Sequence, residues 1–140
     1  RYEVVHQLKQ MFPTLTMVLN GGIKTNEQID AQLSHVDGVM VGREAYHNPW
    51  IMAEWDARFY GDATYAPDRE TVERAMVDYM EQEARAHGVG WYSIARHMLG
   101  LWHGQPGARR WRQVWSDHRL KHLPAREVMQ TARRREGAPA

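Results

Sequence analysis

LTMVLNGGIKTNEQIDAQLSHVDGVMVGREAYHNPW, residues 15–50, decides how this chain is read. Two apolar runs, Leu15–Leu19 and Val39–Val41, are too short for helices and rich enough in branched residues for strands. Each gives way to glycine, at Gly21-Gly22 after Asn20 and at Gly42 before Arg43. Between them lies one helical pattern. Thr25 and Gln28 form a T-x-x-Q capping box, Ile29 and Leu33 make the apolar stripe, and Asp37-Gly38 turns into the second run. A strand, a helix and a second strand make a βαβ unit, whose strands must run parallel. Both glycine turns then fall at the carboxyl ends of neighbouring strands, where such folds bind ligands.

Two parallel strands leave both sheet edges unpaired, and they cannot close a barrel. The expectation is therefore that further strands come from elsewhere, most simply from an N-terminal part. The opening fits this: Arg1 stands where Met would, and Tyr2–Phe12 already reads as a helix ending at Pro13. After Arg43, Pro49 opens a helix to about Tyr60, with Gly61 as its stop. Gly61–Pro67 is polar and aperiodic, and is taken as a domain boundary. Beyond it, helices are expected from Asp68 to Gly88, Trp91 to Trp102, Ala108 to Leu120, and from Pro124, with residues 133–140 frayed. The long first one shows Val72, Met76, Tyr79, Met80 and Glu83 at three-to-four spacing. The fold class is α/β plus all-α: residues 1–66 as the last two β/α units of a TIM-type barrel, and residues 67–140 as a helical bundle domain.

The chain has 140 residues, 43% hydrophobic and 25% charged, ordinary values for a globular domain. No apolar run is long enough to span a membrane, no signal peptide is visible, and a cytoplasmic monomer is expected. The chain has no cysteine, which excludes disulfides, a thiolate nucleophile and a cysteine-based zinc site. The eight histidines show no metal-ligand spacing, so no metal is expected. The net charge of +1 conceals an asymmetry. Residues 1–95 carry 8 Lys+Arg against 14 Asp+Glu, and residues 96–140 carry 10 against 3. The basic third suggests a polyanionic partner.

The glycine turns suit an anion. Glycine lets backbone approach a ligand, helix N-termini add partial positive charge, and Arg43 offers a guanidinium. The same glycines also suit plain tight turns. On a helical wheel, Trp111, Val114, Trp115 and His118 share an arc of about 100°, the core face. Arg109, Arg112, Gln113, Ser116 and Arg119 lie opposite, with no carboxylate among them. Arg96 and Arg133-Arg134-Arg135 extend this basic surface. A basic face of this kind suits phosphates, and a solvated charged face is the plainer reading. The tryptophans, at helical spacing, are read as core before stacking platforms.

LNGGIKT (19–25), DGVMVGREAYHNP (37–49) and RHMLGLWHGQPGARRWR (96–112) resemble the C-terminal part of the A-type tRNA-dihydrouridine synthases. YEVVHQLKQMFPTL (2–15) also fits, and the likeness runs from Tyr2 to about His118. The resemblance implies a β/α barrel holding FMN, reduced by NADPH, followed by a helical tRNA-binding domain, with D-loop uridine reduced to 5,6-dihydrouridine. By matching position, Asn20, Gly21, Gly22, Gly42 and Arg43 correspond to the FMN phosphate site. Arg109 and Arg112 correspond to the arginine pair that holds tRNA. The family's proton-donating cysteine has no counterpart, so no catalytic residue is assigned and this chain alone is expected to be inactive. Two other readings stand beside this one. One is a phosphate-binding barrel oxidoreductase acting on a small metabolite; the other is a non-catalytic RNA-binding helical module.

Overall fold

The computed structural model of the protein describes residues 1–134. They form two compact units, Arg1–His47 and the described residues from Asn48 onward. The chain is mostly helical, with one two-stranded parallel sheet among the described residues.

The first unit contains helix α1 (Tyr2–Met11), strand β1 (Val18–Asn20), helix α2 (Asn26–Leu33), strand β2 (Gly38–Met40) and the short helix α3 (Arg43–His47). The βαβ reading holds, with shorter strands than the apolar runs. Val18, Leu19 and Asn20 pair with Gly38, Val39 and Met40 in parallel register. Thr25 caps α2 by accepting from the Gln28 amide at 3.1 Å. The Gln28 side chain reaches back to the Lys24 amide at 2.8 Å, one residue earlier than a capping box requires. Asp37 fixes the start of both strands. It accepts from the Met17 amide at 2.8 Å, and its own amide donates to the Met17 carbonyl at 3.0 Å. Lys9 meets Asp37 at 2.8 Å and also donates to the carbonyls of Pro13 and Leu15, which ties the end of α1 to the sheet.

The core of this unit is small: Leu19, Ile23, Ile29 and Val36 are buried. Val4, Val5, Leu8, Met11 and Phe12 recur at three-to-four spacing along the first helix, which predicts a covered stripe, and the stripe is largely uncovered. Val4, Leu8, Met11 and Phe12 are exposed, as are Val18 at 59% and Met40 at 47%. β1 alternates, with Leu19 buried between exposed Val18 and Asn20, whereas in β2 Gly38 and Val39 are both half-buried and Met40 is exposed.

The second unit opens with a 3-10 helix, Pro49–Glu54, and α4 (Trp55–Tyr60), where a single helix was expected. Gly61 ends α4 in the left-handed conformation, φ +68°. Trp50 packs against the helical core, and the Arg69 guanidinium lies 4.4 Å from its ring centre. Arg69 also donates to the Leu101 carbonyl at 2.9 Å. These contacts explain why the polar stretch 61–67 lies inside this unit rather than at its edge.

Helix α5 (Arg69–His87) starts at the Asp68 cap and ends at Gly88, as its sequence predicts. Its buried face differs from the expected one. Glu73, Val77 and Met80 are buried, at i, i+4 and i+7, while Tyr79 is 48% exposed. Helix α6 is only Trp91–Ala95, and turns carry the chain on through Trp102. Helix α7 is Ala108–Trp115. It stops at Ser116, and a 3-10 turn covers His118–Leu120. His118 therefore leaves the helix and is exposed, so it is not part of the core face assigned to it. Helix α8 (Ala125–Arg133) follows Pro124 and buries Val128, Met129 and Ala132 as expected. The expected fraying of 133–140 falls, beyond Arg134, outside the described residues. Trp91, Trp111 and Trp115 are buried in the core of these helices, which removes them as stacking platforms.

No helix among the described residues is long and apolar enough to cross a membrane. None of their His, Asp and Glu side chains form a group able to hold a metal ion.

Candidate functional site

In the first unit the parallel register sets the ends of β1 and β2 side by side, at Asn20 and Met40. The Asn20-Gly21-Gly22 turn leaves one strand and Val41-Gly42-Arg43 leaves the other. Gly21 has φ +141° and Gly22 φ +65°, conformations that a side chain rarely adopts. The hydroxyl of Tyr2 donates to the Gly21 carbonyl and holds the turn against α1. Gly42 differs from Gly21 and Gly22: its φ is not positive, and a Cβ there would meet Met40 Cε at 3.4 Å, an ordinary contact. Its carbonyl accepts from the Tyr46 amide at 3.3 Å and so starts α3. Arg43 is exposed, and its guanidinium has no partner among the described residues.

In the second unit the arginines separate into those with partners and those without. Arg119 lies beyond α7 and is clamped by Asp117, through Nε at 3.0 Å and Nη2 at 2.9 Å. This corrects the reading of an exposed face with three arginines and no carboxylate. The pairing holds the Asp117 carboxyl below its ordinary range, through the Arg119 side-chain bond first and the Arg119 amide second. Arg126 reaches Asp78 at 2.9 Å and Glu81 at 3.2 Å. Arg133 reaches Glu73 at 3.3 Å and Glu70 at 3.9 Å. Arg110 donates to the carbonyls of Arg134 and Thr131. Arg109 and Arg112, three apart on exposed positions of α7, meet no side-chain partner among the described residues.

Arg96 caps the end of α6 and is exposed, with Nε donating to the His97 ring at 3.2 Å. It lines a cavity of about 390 Å³ with Trp91, Leu99, Trp115 and Asp117. A larger cleft of about 880 Å³ takes in Arg109 but neither Arg96 nor Arg112. Arg135 lies outside the described residues.

The sequence reading missed Glu73. Its carboxylate is fully buried, and one oxygen accepts from both Trp111 Nε1 at 2.9 Å and Trp115 Nε1 at 3.1 Å. Those two indoles lie one turn apart on α7, so Glu73 fixes which way α7 turns its opposite, arginine-bearing face. Two tryptophans at i and i+4 with buried N–H groups require an acceptor, and that requirement was the available signal.

The sequence matches the family described as Dihydrouridine synthase (Dus) over residues 1–135. The chain belongs to the dihydrouridine synthase family. A tRNA-dihydrouridine(20/20a) synthase of Synechocystis sp. is 46% identical over 132 residues, which cover 94% of this chain and 39% of that protein. The protein of that name from Escherichia coli is 50% identical over 120 residues, 86% of this chain and 34% of the relative. The one from Vibrio cholerae is 41% identical over 131 residues, 94% of this chain and 40% of the relative. The chain thus spans between about a third and two fifths of the length of these curated relatives. Both glycine turns and the α7 arginines fall inside the matched residues.

Proposed function

We propose that the chain is the C-terminal portion of an FMN-dependent tRNA-dihydrouridine synthase. In this reading the first unit belongs to the end of the cofactor-binding barrel and the helical unit is the tRNA-binding domain, with the boundary moved from the expected residue 66 to His47–Asn48. The relatives named for tRNA dihydrouridine synthesis support the reading. The observation that carries it is the state of α7. Arg109 and Arg112 alone among the arginines of 108–119 have no protein partner among the described residues, as a phosphate-binding pair requires.

The residues of the two glycine turns fit a cofactor phosphate. Positive φ at Gly21 and Gly22 brings bare backbone to the surface, and the unpaired Arg43 guanidinium follows the neighbouring strand. Asn20, Gly21, Gly22, Gly42 and Arg43 would hold that phosphate. When bound, FMN supplies hydride-transfer chemistry, with NADPH as reductant, for converting tRNA uridine to 5,6-dihydrouridine. Here the chain's own residues bind and orient. Arg109, Arg112 and Arg96 hold RNA, and no cysteine is present to deliver a proton. The 140-residue chain is therefore expected to bind without catalysing, as a monomer in the cytoplasm.

Replacing Arg109 and Arg112 together with Ala tests the reading. Affinity for tRNA should fall, and its log–log salt slope should flatten by roughly 0.9 for each duplex-like phosphate no longer engaged. Unchanged affinity and slope would remove both arginines from any RNA interface.

A further inference from the structure

The cleft between the start of α7 and the end of α8 is lined by Arg109, Arg110, Arg133 and Arg134, with Glu70 the one carboxylate lining it among the described residues. The four guanidiniums differ in how their charge is met. Arg133 is balanced by Glu73 and Glu70. Arg110 donates Nε to the Arg134 carbonyl at 3.0 Å and Nη2 to the Thr131 carbonyl at 3.2 Å. A cation is favourable at the carbonyl end of a helix, yet carbonyls carry no net charge to neutralise it. The side chains of Arg109 and Arg134 have no partner among the described residues. Against the Glu73 and Glu70 carboxylates, the four guanidiniums leave an excess of two positive charges at one cleft among the described residues.

One further feature points the same way. Pro106 and Gly107 line the cleft, and α7 begins there with no side-chain cap and no acid in its first turn. Its N-terminus adds partial positive charge.

The geometry points to a second anion seat here, taking a backbone phosphate of RNA between Arg109 of α7 and Arg134 at the end of α8. This rests on the reading of α7 as an RNA-binding helix, and it divides the arginine pair. Arg112 does not line the cleft, so Arg109 and Arg112 engage different phosphates. Two guanidinium forks suit one phosphodiester, which offers two unesterified oxygens. Arg110 acts as a positioning residue. By bonding the last carbonyls of α8 it holds the Arg134 backbone at the cleft.

The test measures tRNA binding by the full chain across a salt series, for the parent and for Arg134→Ala, Arg134→Lys and Arg112→Ala. Arg134→Ala should weaken binding equally for different tRNA sequences and reduce the salt slope by about one unit. Helical content and the unfolding midpoint should not change, because Arg134 is exposed. Arg134→Lys should keep most of the slope. If Arg112→Ala loses affinity while Arg134→Ala does not, the cleft is not a phosphate seat and the helix-face reading survives. If neither variant changes binding, both readings fall.

Discussion

Glu73 places one carboxylate oxygen against two indole N–H groups, and the other against Arg133. A buried charge is costly unless it is hydrogen-bonded, and here every neighbour is a donor. Removing it strands two buried donors and leaves a cavity. Glu73→Ala should destabilise the protein by about 3 kcal/mol, given about 1–3 kcal/mol for each orphaned buried group. Denaturant unfolding would measure it, and a loss below about 1 kcal/mol would show that water or rearranged partners replace the carboxylate. Arg109 and Arg112 differ from Glu73 in that they serve nothing within the described protein. Their replacement should change RNA binding while leaving stability within about 0.5 kcal/mol, as for other exposed sites.

At the scale of elements, helix ends account for much of the architecture. Asp68 accepts from the Thr71 amide at 2.8 Å and from its hydroxyl at 2.7 Å, which caps nineteen residues of α5. The Thr71 hydroxyl bond first, and its amide second, hold the Asp68 carboxyl below its ordinary value of 3.8. A carboxylate depressed on folding contributes stability above its unfolded pKa and loses it as pH falls through the folded one. Asp37, Asp62 and Asp117 are shifted the same way, by bonds from Lys9, Thr64 and Arg119. Asp68→Ala should therefore lower the unfolding midpoint near neutral pH. The gap from the parent should close as pH drops below 3.8. A gap independent of pH would mean that the cap acts through backbone preference rather than charge. The caps at Thr25 and Asp68 and the left-handed Gly61 and Gly88 were readable because each is local. The end of α7 at Trp115 was not. Asp117 diverts the chain by accepting from the Arg119 amide and side chain, and periodicity alone carried the helix on to Leu120.

For the whole molecule, the two units differ in how much apolar surface they cover. Leu19, Ile23, Ile29 and Val36 make the first core, whereas thirteen buried side chains make the second. Excising residues 1–60 would also part Trp50 from Arg69. That fragment should aggregate or stay partly unfolded, because an open two-stranded sheet with exposed Val18 and Met40 offers free edges. Residues 48–140 should unfold cooperatively. A cooperative, monomeric transition for 1–60 would refute the first expectation. The sequence by itself determined the local grammar: the βαβ unit, the glycine turns, the helix caps and the family to which the motifs belong. The caps and turns depend on residues within one or two turns of each other, the βαβ unit on two apolar runs joined by one helix, and the family on motifs spread along the chain. The tertiary structure alone decided which charges are free. Glu73 meets Trp111 across 38 positions, Trp115 across 42 and Arg133 across 60, separations at which no local pattern registers a partner. Those long-range bonds consume Arg133 and turn α7, and by doing so they leave Arg109 and Arg112 facing solvent, available to a phosphate.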